Sequence, residues 1–268
     1  VLPGDNYYPE SINAAPDGTI YVPSLTTGEL VAFADGDTEP TIVLAPGTDG
    51  VTGITGVLVD GDDLWLCSVD TTFMRPTELR RFGRDGTPKD RFPLAADQFC
   101  NDMAFDALGN LFVTDSFGGS ILKLPAGGTA LEVYTQRDDW KPTMPGAFGL
   151  DGITTLAGDI YITKFDGGEV FRDDGSGAQL FVSALANPDA IRALDDSHLL
   201  VIEGGAGRLT ELGLDGHATP LATDLDQPTS VVVTRGSMWV SQGQLGRLFA
   251  MPAQPPILPF VIRRVDFL

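Results

Sequence analysis

Residues 100–116 read CNDMAFDALGNLFVTDS. An apolar strand, a turn through Leu108-Gly109 and a second strand, Leu111-Phe112-Val113, make a β-hairpin, because Gly tolerates the backbone a tight turn requires and the second strand is aromatic and β-branched. Yet the first strand opens on Asn101 and Asp102, two polar residues where a core should begin. Their position needs a reason.

Moving outward, the same unit recurs. Copies start near Pro9, Ile54, Cys100, Leu150, Pro188 and Pro228, each reading strand, turn, strand, Gly-containing loop, strand. The second strand always carries an apolar triplet: Ile20-Tyr21-Val22, Leu64-Trp65-Leu66, Leu111-Phe112-Val113, Ile160-Tyr161-Ile162, Leu199-Leu200-Val201 and Met238-Trp239-Val240. A fourth strand follows most copies, as in Gln179-Leu180-Phe181-Val182. Six repeats of four antiparallel strands, at a period of roughly forty to fifty residues, predict an all-β chain forming one six-bladed β-propeller domain. Phe260 to Val265 is expected as the outer strand of blade six, with Val1 to Tyr8 packing across the seam.

Composition agrees. With 43% hydrophobic residues the 268-residue chain can bury a large core, and its 32 glycines and 19 prolines are spread along it as many short strands and turns require. The formal charge of −20 repels phosphate backbones and anionic lipid, so neither nucleic acid nor membrane is an expected partner. No apolar run approaches the roughly 18 residues needed to span a bilayer. Val1 in place of Met, low Lys and high Gly and Asp give the expectation of a processed, soluble, monomeric protein that is periplasmic or secreted. Two cysteines, Cys67 and Cys100, are too few for a disulfide scaffold. Cys67 ends a strand in blade two where Cys100 begins one in blade three, so the pair either bonds there or remains two buried thiols.

In a propeller the first residue of each inner strand points toward the central channel. Around the ring these are Glu10, Thr55, Asn101, Asp151, Asp189 and Thr229. Convergent oxygens without nitrogen or sulfur ligands suit a hard divalent cation, and crowded carboxylates need a counter-charge. Ca²⁺ is the first choice, with Mg²⁺, Mn²⁺ and Zn²⁺ open. Where the second strands end, at the same face, stand Ser24, Ser68, Asp115, Lys164, Glu203 and Gln242, expected as pocket wall or support.

With these positions in hand the chain resembles the gluconolactonase and regucalcin family of six-bladed propellers. The resemblance is carried by Pro9-Glu10-Ser11, Asn101-Asp102 with Gly109-Asn110-Leu111 and Thr114-Asp115, Leu150-Asp151-Gly152 and Pro188-Asp189-Ala190. It implies a cation at the channel mouth held by Glu10, Asp151 and Asp189, with Asn101 as a further ligand or a substrate-side amide. Asp151 stands where the family commonly has Asn, and Ala190 where it often has Gly. The implied reaction is metal-dependent opening of a lactone: the cation polarises the ring carbonyl, and Asp189 takes a proton from water, with Asn101 assisting. Asp102, Asp115 and Trp140 are the expected substrate contacts. Trp140 sits with Met144 and Phe148 in the long loop 136–148, which reads as an apolar lid.

Chemistry that relies on histidine fits less well, because His198 and His217 fall at the opposite face. Two alternatives stand beside the lactonase: a non-catalytic ligand- or protein-binding propeller with a structural cation, and a strictosidine-synthase-like propeller.

Overall fold

In the computed structural model, which describes residues 1–267, the repeats form six antiparallel sheets: 13–44, 54–93, 100–136, 150–182, 188–222 and 228–265. Five have four strands in sequential order and the last has three. Each innermost strand neighbours the next around the ring, and that of blade six meets that of blade one. The fold is a six-bladed β-propeller. Among the described residues no helix is long and apolar enough to cross a membrane.

The unbroken apolar triplets follow from this geometry. Alternate side chains of a strand leave opposite faces, and each blade is covered on both. Leu111 and Val113 join an apolar cluster with Trp65 and Cys67 of blade two, while Phe112 between them joins one with Ile153 and Ile162 of blade four. Likewise Leu199 and Val201 pack toward blade four, whereas Leu200 and Ile202 pack toward blade six. Six such clusters serve the six interfaces.

Blade six departs from the expected pattern. Its third strand is Ile262–Val265, paired directly with Ser237–Gln242, rather than an outer strand beyond another. The stretch expected to be that third strand instead forms a helical turn, Leu245–Leu248, followed by an irregular run. Pro252, Pro255, Pro256 and Pro259 explain the run, since each lacks the N–H a ladder needs. The seam closes as expected on the N-terminal segment: the Leu2 amide donates to the Phe260 carbonyl at 2.9 Å, and the Tyr8 and Phe260 rings pack 4.9 Å apart.

Cys67 and Cys100 are joined, with Cα atoms 5.3 Å apart, tying blade two to blade three immediately beside Asn101. Hydroxyls staple further neighbours at the same level. Thr55 donates to the Cys100 carbonyl at 2.9 Å, Thr114 to that of Asp151 at 2.5 Å, Thr163 to that of Asp189 at 2.7 Å and Thr229 to that of Pro9 at 2.9 Å. These bonds fix the heights of the inner strands relative to one another.

Candidate functional site

The inner strands are irregular where they enter the channel. Pairing skips a residue between Val113 and Asp115, opposite Asn101 and Asp102, and comparable irregularities occur at Ile54/Gly56, Leu150/Ile153, Pro188/Ile191 and Pro228/Ser230. A bulge of this kind re-aims side chains that a straight strand would send to opposite faces. Asn101 and Asp102 therefore both line the channel pocket, together with Glu10, Thr55, Asp151, Asp189 and Thr229. The two polar residues that open blade three belong to the channel, not to the core.

Glu10, Asp151 and Asp189 are buried and each offers a carboxylate oxygen within 4.8 Å of the others. Oxygens around one Ca²⁺ at about 2.4 Å lie at most about 4.8 Å apart, so the cluster has the span of one coordination sphere. Burial raises all three pKa values well above the usual range. Asp151 and Asp102 push Glu10 further, Asp102 pushes Asp151, and Asp151, Glu10 and Asp102 push Asp189. Such mutual repulsion is what a bound cation relieves. The donor set and its charge fit a hard divalent ion.

A guanidinium not anticipated from the sequence completes the pocket. Arg192 holds Asp102 in a two-pronged ion pair, Nη1 to Oδ2 at 2.6 Å and Nη2 to Oδ1 at 3.0 Å, and donates to the Ile191 carbonyl at 2.8 Å. Burial pulls the Arg192 pKa down, but Asp102, Glu10 and Asp189 outweigh it and the net shift is upward. Asp102 also accepts the Ile153 amide at 3.1 Å. Its carboxylate is thus occupied by protein partners, and its role is to seat Arg192 beside the triad. The Asn101 amide donates to Ser116 Oγ at 3.0 Å, and Ser116 donates to the Leu150 carbonyl at 2.6 Å, which fixes the side chain at the pocket wall.

Two expected substrate contacts lie elsewhere. Asp115 is fully buried outside the pocket, accepting the amides of Phe99 at 2.8 Å and Gly118 at 2.9 Å and the hydroxyl of Ser120 at 2.7 Å; it organises the loop behind Asn101. Trp140 is also fully buried, edge-on to Phe171 at 5.6 Å and under the Arg137 guanidinium. Its indole belongs to the interface of blades three and four, because an apolar ring gains more from that cleft than from a loop surface. The other second-strand residues serve their own blades. Ser24 donates to Tyr7, Lys164 pairs with Asp166, Glu203 binds Arg208 and Thr210, and Gln242 accepts the Asp226 amide. His198 sits beside Asp195, and both histidines lie at the face away from the channel mouth.

The fold and this pocket define a six-bladed propeller with an acidic cluster at the mouth of its channel. No family model matches the chain, and no curated protein sequence matches it. Solved structures share its architecture. A luciferin-regenerating enzyme is 14% identical over 98% of this chain and 93% of its own, with a TM-score of 0.71. The major allergen Mala s 1 of Malassezia sympodialis is 13% identical over 99% and 97%, with a TM-score of 0.73. A catalytically inactive virginiamycin B lyase from Staphylococcus aureus, solved with quinupristin, is 13% identical over 91% and 94%, with a TM-score of 0.64. Enzymes are thus among the proteins sharing this fold, which is compatible with a hydrolase or a lyase; at these identities the likeness is one of fold alone.

Proposed function

We propose that the protein is a metal-dependent hydrolase that opens a lactone or related cyclic ester at the channel mouth. The observation that carries this reading is the buried triad Glu10, Asp151 and Asp189, whose oxygens lie within one coordination sphere of each other. These residues would hold a divalent cation, Ca²⁺ first, with the Asn101 carbonyl as a further oxygen. When bound, the cation supplies positive charge that polarises a ring carbonyl.

The chain's own residues then have distinct tasks. Asp189 is the candidate base that takes a proton from the attacking water; because contact with a cation weakens a carboxylate as a base, it would act from a loose contact with the ion or through a second water. Asn101, anchored through Ser116, positions the substrate without adding charge. Arg192 offsets part of the triad's negative potential, so the pocket tolerates charge developing on a substrate oxygen.

The Cys67–Cys100 bridge supports placing the protein in an oxidising compartment, periplasmic or extracellular. A small, uncharged lactone fits the pocket's charge better than an anionic partner. A panel of sugar, alkyl and aryl lactones, assayed with metal and after chelation, tests the reading: turnover that chelator abolishes and Ca²⁺ restores is expected. Inactivity on the whole panel, with metal bound, would favour the non-catalytic binding propeller.

A further inference from the structure

The acidic cavity encloses about 10 Å³, room for one ion or water and not for a ring. A substrate whose carbonyl meets this cavity must therefore lie above it, among the loops of the mouth. Those loops are aromatic. Phe99 and Phe117 flank Asn101 and its partner Ser116 in sequence, and their rings pack 4.7 Å apart. Phe148, which precedes the strand that bears Asp151, packs on both, 5.4 Å from Phe99 and 5.5 Å from Phe117. On one side the cluster continues to Phe73 of blade two, and on the other Phe148 reaches Phe249 of blade six at 6.3 Å. Blade five lies between blades four and six, so this last contact joins loops that are not neighbours around the ring.

The inner rings are packed: Phe99 is buried in the apolar cluster of Tyr8, Leu25 and Phe260, against which Phe117 and Phe148 also pack. The outer rings are open, Phe73 52% exposed and Phe249 45%, while Met144 and Met251 stand exposed on the loops that carry Phe148 and Phe249. An apolar cluster that begins beside Asn101 thus ends in solvent. On a chain of charge −20 it is a local exception with a purpose to find.

We propose that this phenylalanine mouth binds the apolar part of the substrate, so that the preferred cyclic ester carries an alkyl or aryl substituent and not a ring of hydroxyls. The inference rests on the hydrolase reading for the ester itself, and on the rings alone for the substituent. A hydroxylated ring would lose water's hydrogen bonds against phenylalanine without replacement, whereas an alkyl chain would bury apolar surface there.

The test is calorimetric binding of γ-lactams, which resist hydrolysis, with side chains from methyl to octyl, alongside a polyhydroxylated lactam. Binding should tighten by roughly threefold to fourfold per added methylene over the first several carbons, and the polyhydroxylated lactam should bind more weakly than every alkyl member. Phe249→Ser and Phe73→Ser, at partly exposed positions, should each flatten that gradient while keeping the melting temperature. Absence of a gradient in the native protein, or tighter binding of the hydroxylated ring, overturns the proposal whatever the variants do. The two readings fail separately: a clear gradient with no lactone hydrolysed sinks the hydrolase and keeps the apolar mouth. Hydrolysis of sugar lactones without a gradient does the reverse.

Discussion

Replacing Arg192 with methionine keeps most of the stem's volume and removes the guanidinium that Asp102 holds in the channel. Breaking a buried ion pair from one side costs about 3–5 kcal/mol, because the remaining carboxylate has lost its partner and not regained water. At roughly 2–4 °C per kcal/mol for a chain of this size, the chelated variant should melt about 6–20 °C below the native protein. The cation should respond in the opposite direction. Four pocket carboxylates, Glu10, Asp102, Asp151 and Asp189, face one guanidinium, so the substitution raises the formal charge of the pocket from −3 to −4. At about 10 Å and an effective dielectric near 20, one unit charge acts on a divalent ion with about 3 kcal/mol, so Ca²⁺ should bind about a hundredfold tighter. Melting followed by circular dichroism, in chelator and in Ca²⁺, and calorimetric titration of the metal measure both effects. Asp102→Asn combined with Arg192→Met should recover part of the lost stability. A chelated Arg192→Met protein melting within about 2 °C of the native one, or binding Ca²⁺ more weakly, would refute the electrostatic account.

Further outcomes follow from the same structure. Glu10, Asp151 and Asp189 have folded-state pKa values raised above those of the unfolded chain, so without metal the folded state holds more protons and stability falls as pH rises, by about 1.4 kcal/mol per pH unit for each proton held. Chelated protein should melt higher near pH 5 than near pH 7.5, Asp189→Asn should lessen that slope and saturating Ca²⁺ should remove it; a chelated melt that rises over this interval contradicts the assignment. Opening the Cys67–Cys100 bridge, which spans 33 residues, should cost about 4 kcal/mol through loop entropy, seen as a lower melting temperature after reduction and alkylation. Asp189→Asn should lower lactone turnover by orders of magnitude and Asn101→Ala should reduce turnover more than metal content, both read by steady-state kinetics with elemental analysis. Trp140→Ala should destabilise the fold by about 3–5 kcal/mol, as a core truncation does. If it instead raises KM at unchanged stability, Trp140 belongs to the site after all.

The blades were legible in the sequence because their signals are local: a turn such as Leu108-Gly109 and an apolar triplet such as Leu111-Phe112-Val113 need no distant partner to be recognised. The first residues of the inner strands were legible for the same reason, since strand polarity alone sends them to the mouth. The middle of blade six was not, because the chain leaves the repeat after Gln242 and returns to it only at Ile262, within the stretch expected to close the blade. Trp140 and Asp115 were misplaced for a related reason. Asp115 ends a strand and Trp140 lies in a loop, both at the correct face, and only packing decides whether such a side chain turns toward the channel or into a blade.

Arg192 was missed through an assumption of straight strands, in which one residue per strand meets the channel and its neighbour does not. The bulges break that alternation and bring two consecutive positions to the pocket. The second positions are Ser11, Gly56, Asp102, Gly152, Ala190 and Ser230. Five are small, and at two of them the space demands glycine: a Cβ on Gly56 would lie 2.4 Å from the Asn101 carbonyl oxygen, and one on Gly152 2.5 Å from that of Asp189. Asp102 is the exception, a buried charged side chain where the other five positions are small, and a charge there requires a partner within reach. Arg192 follows the irregularity at Pro188/Ile191 in blade five, two blades further round the ring, and meets that requirement. Asp102 is therefore explained by what it holds: it keeps one positive charge beside three carboxylates that repel each other, and so sets how much of their charge is left for a cation.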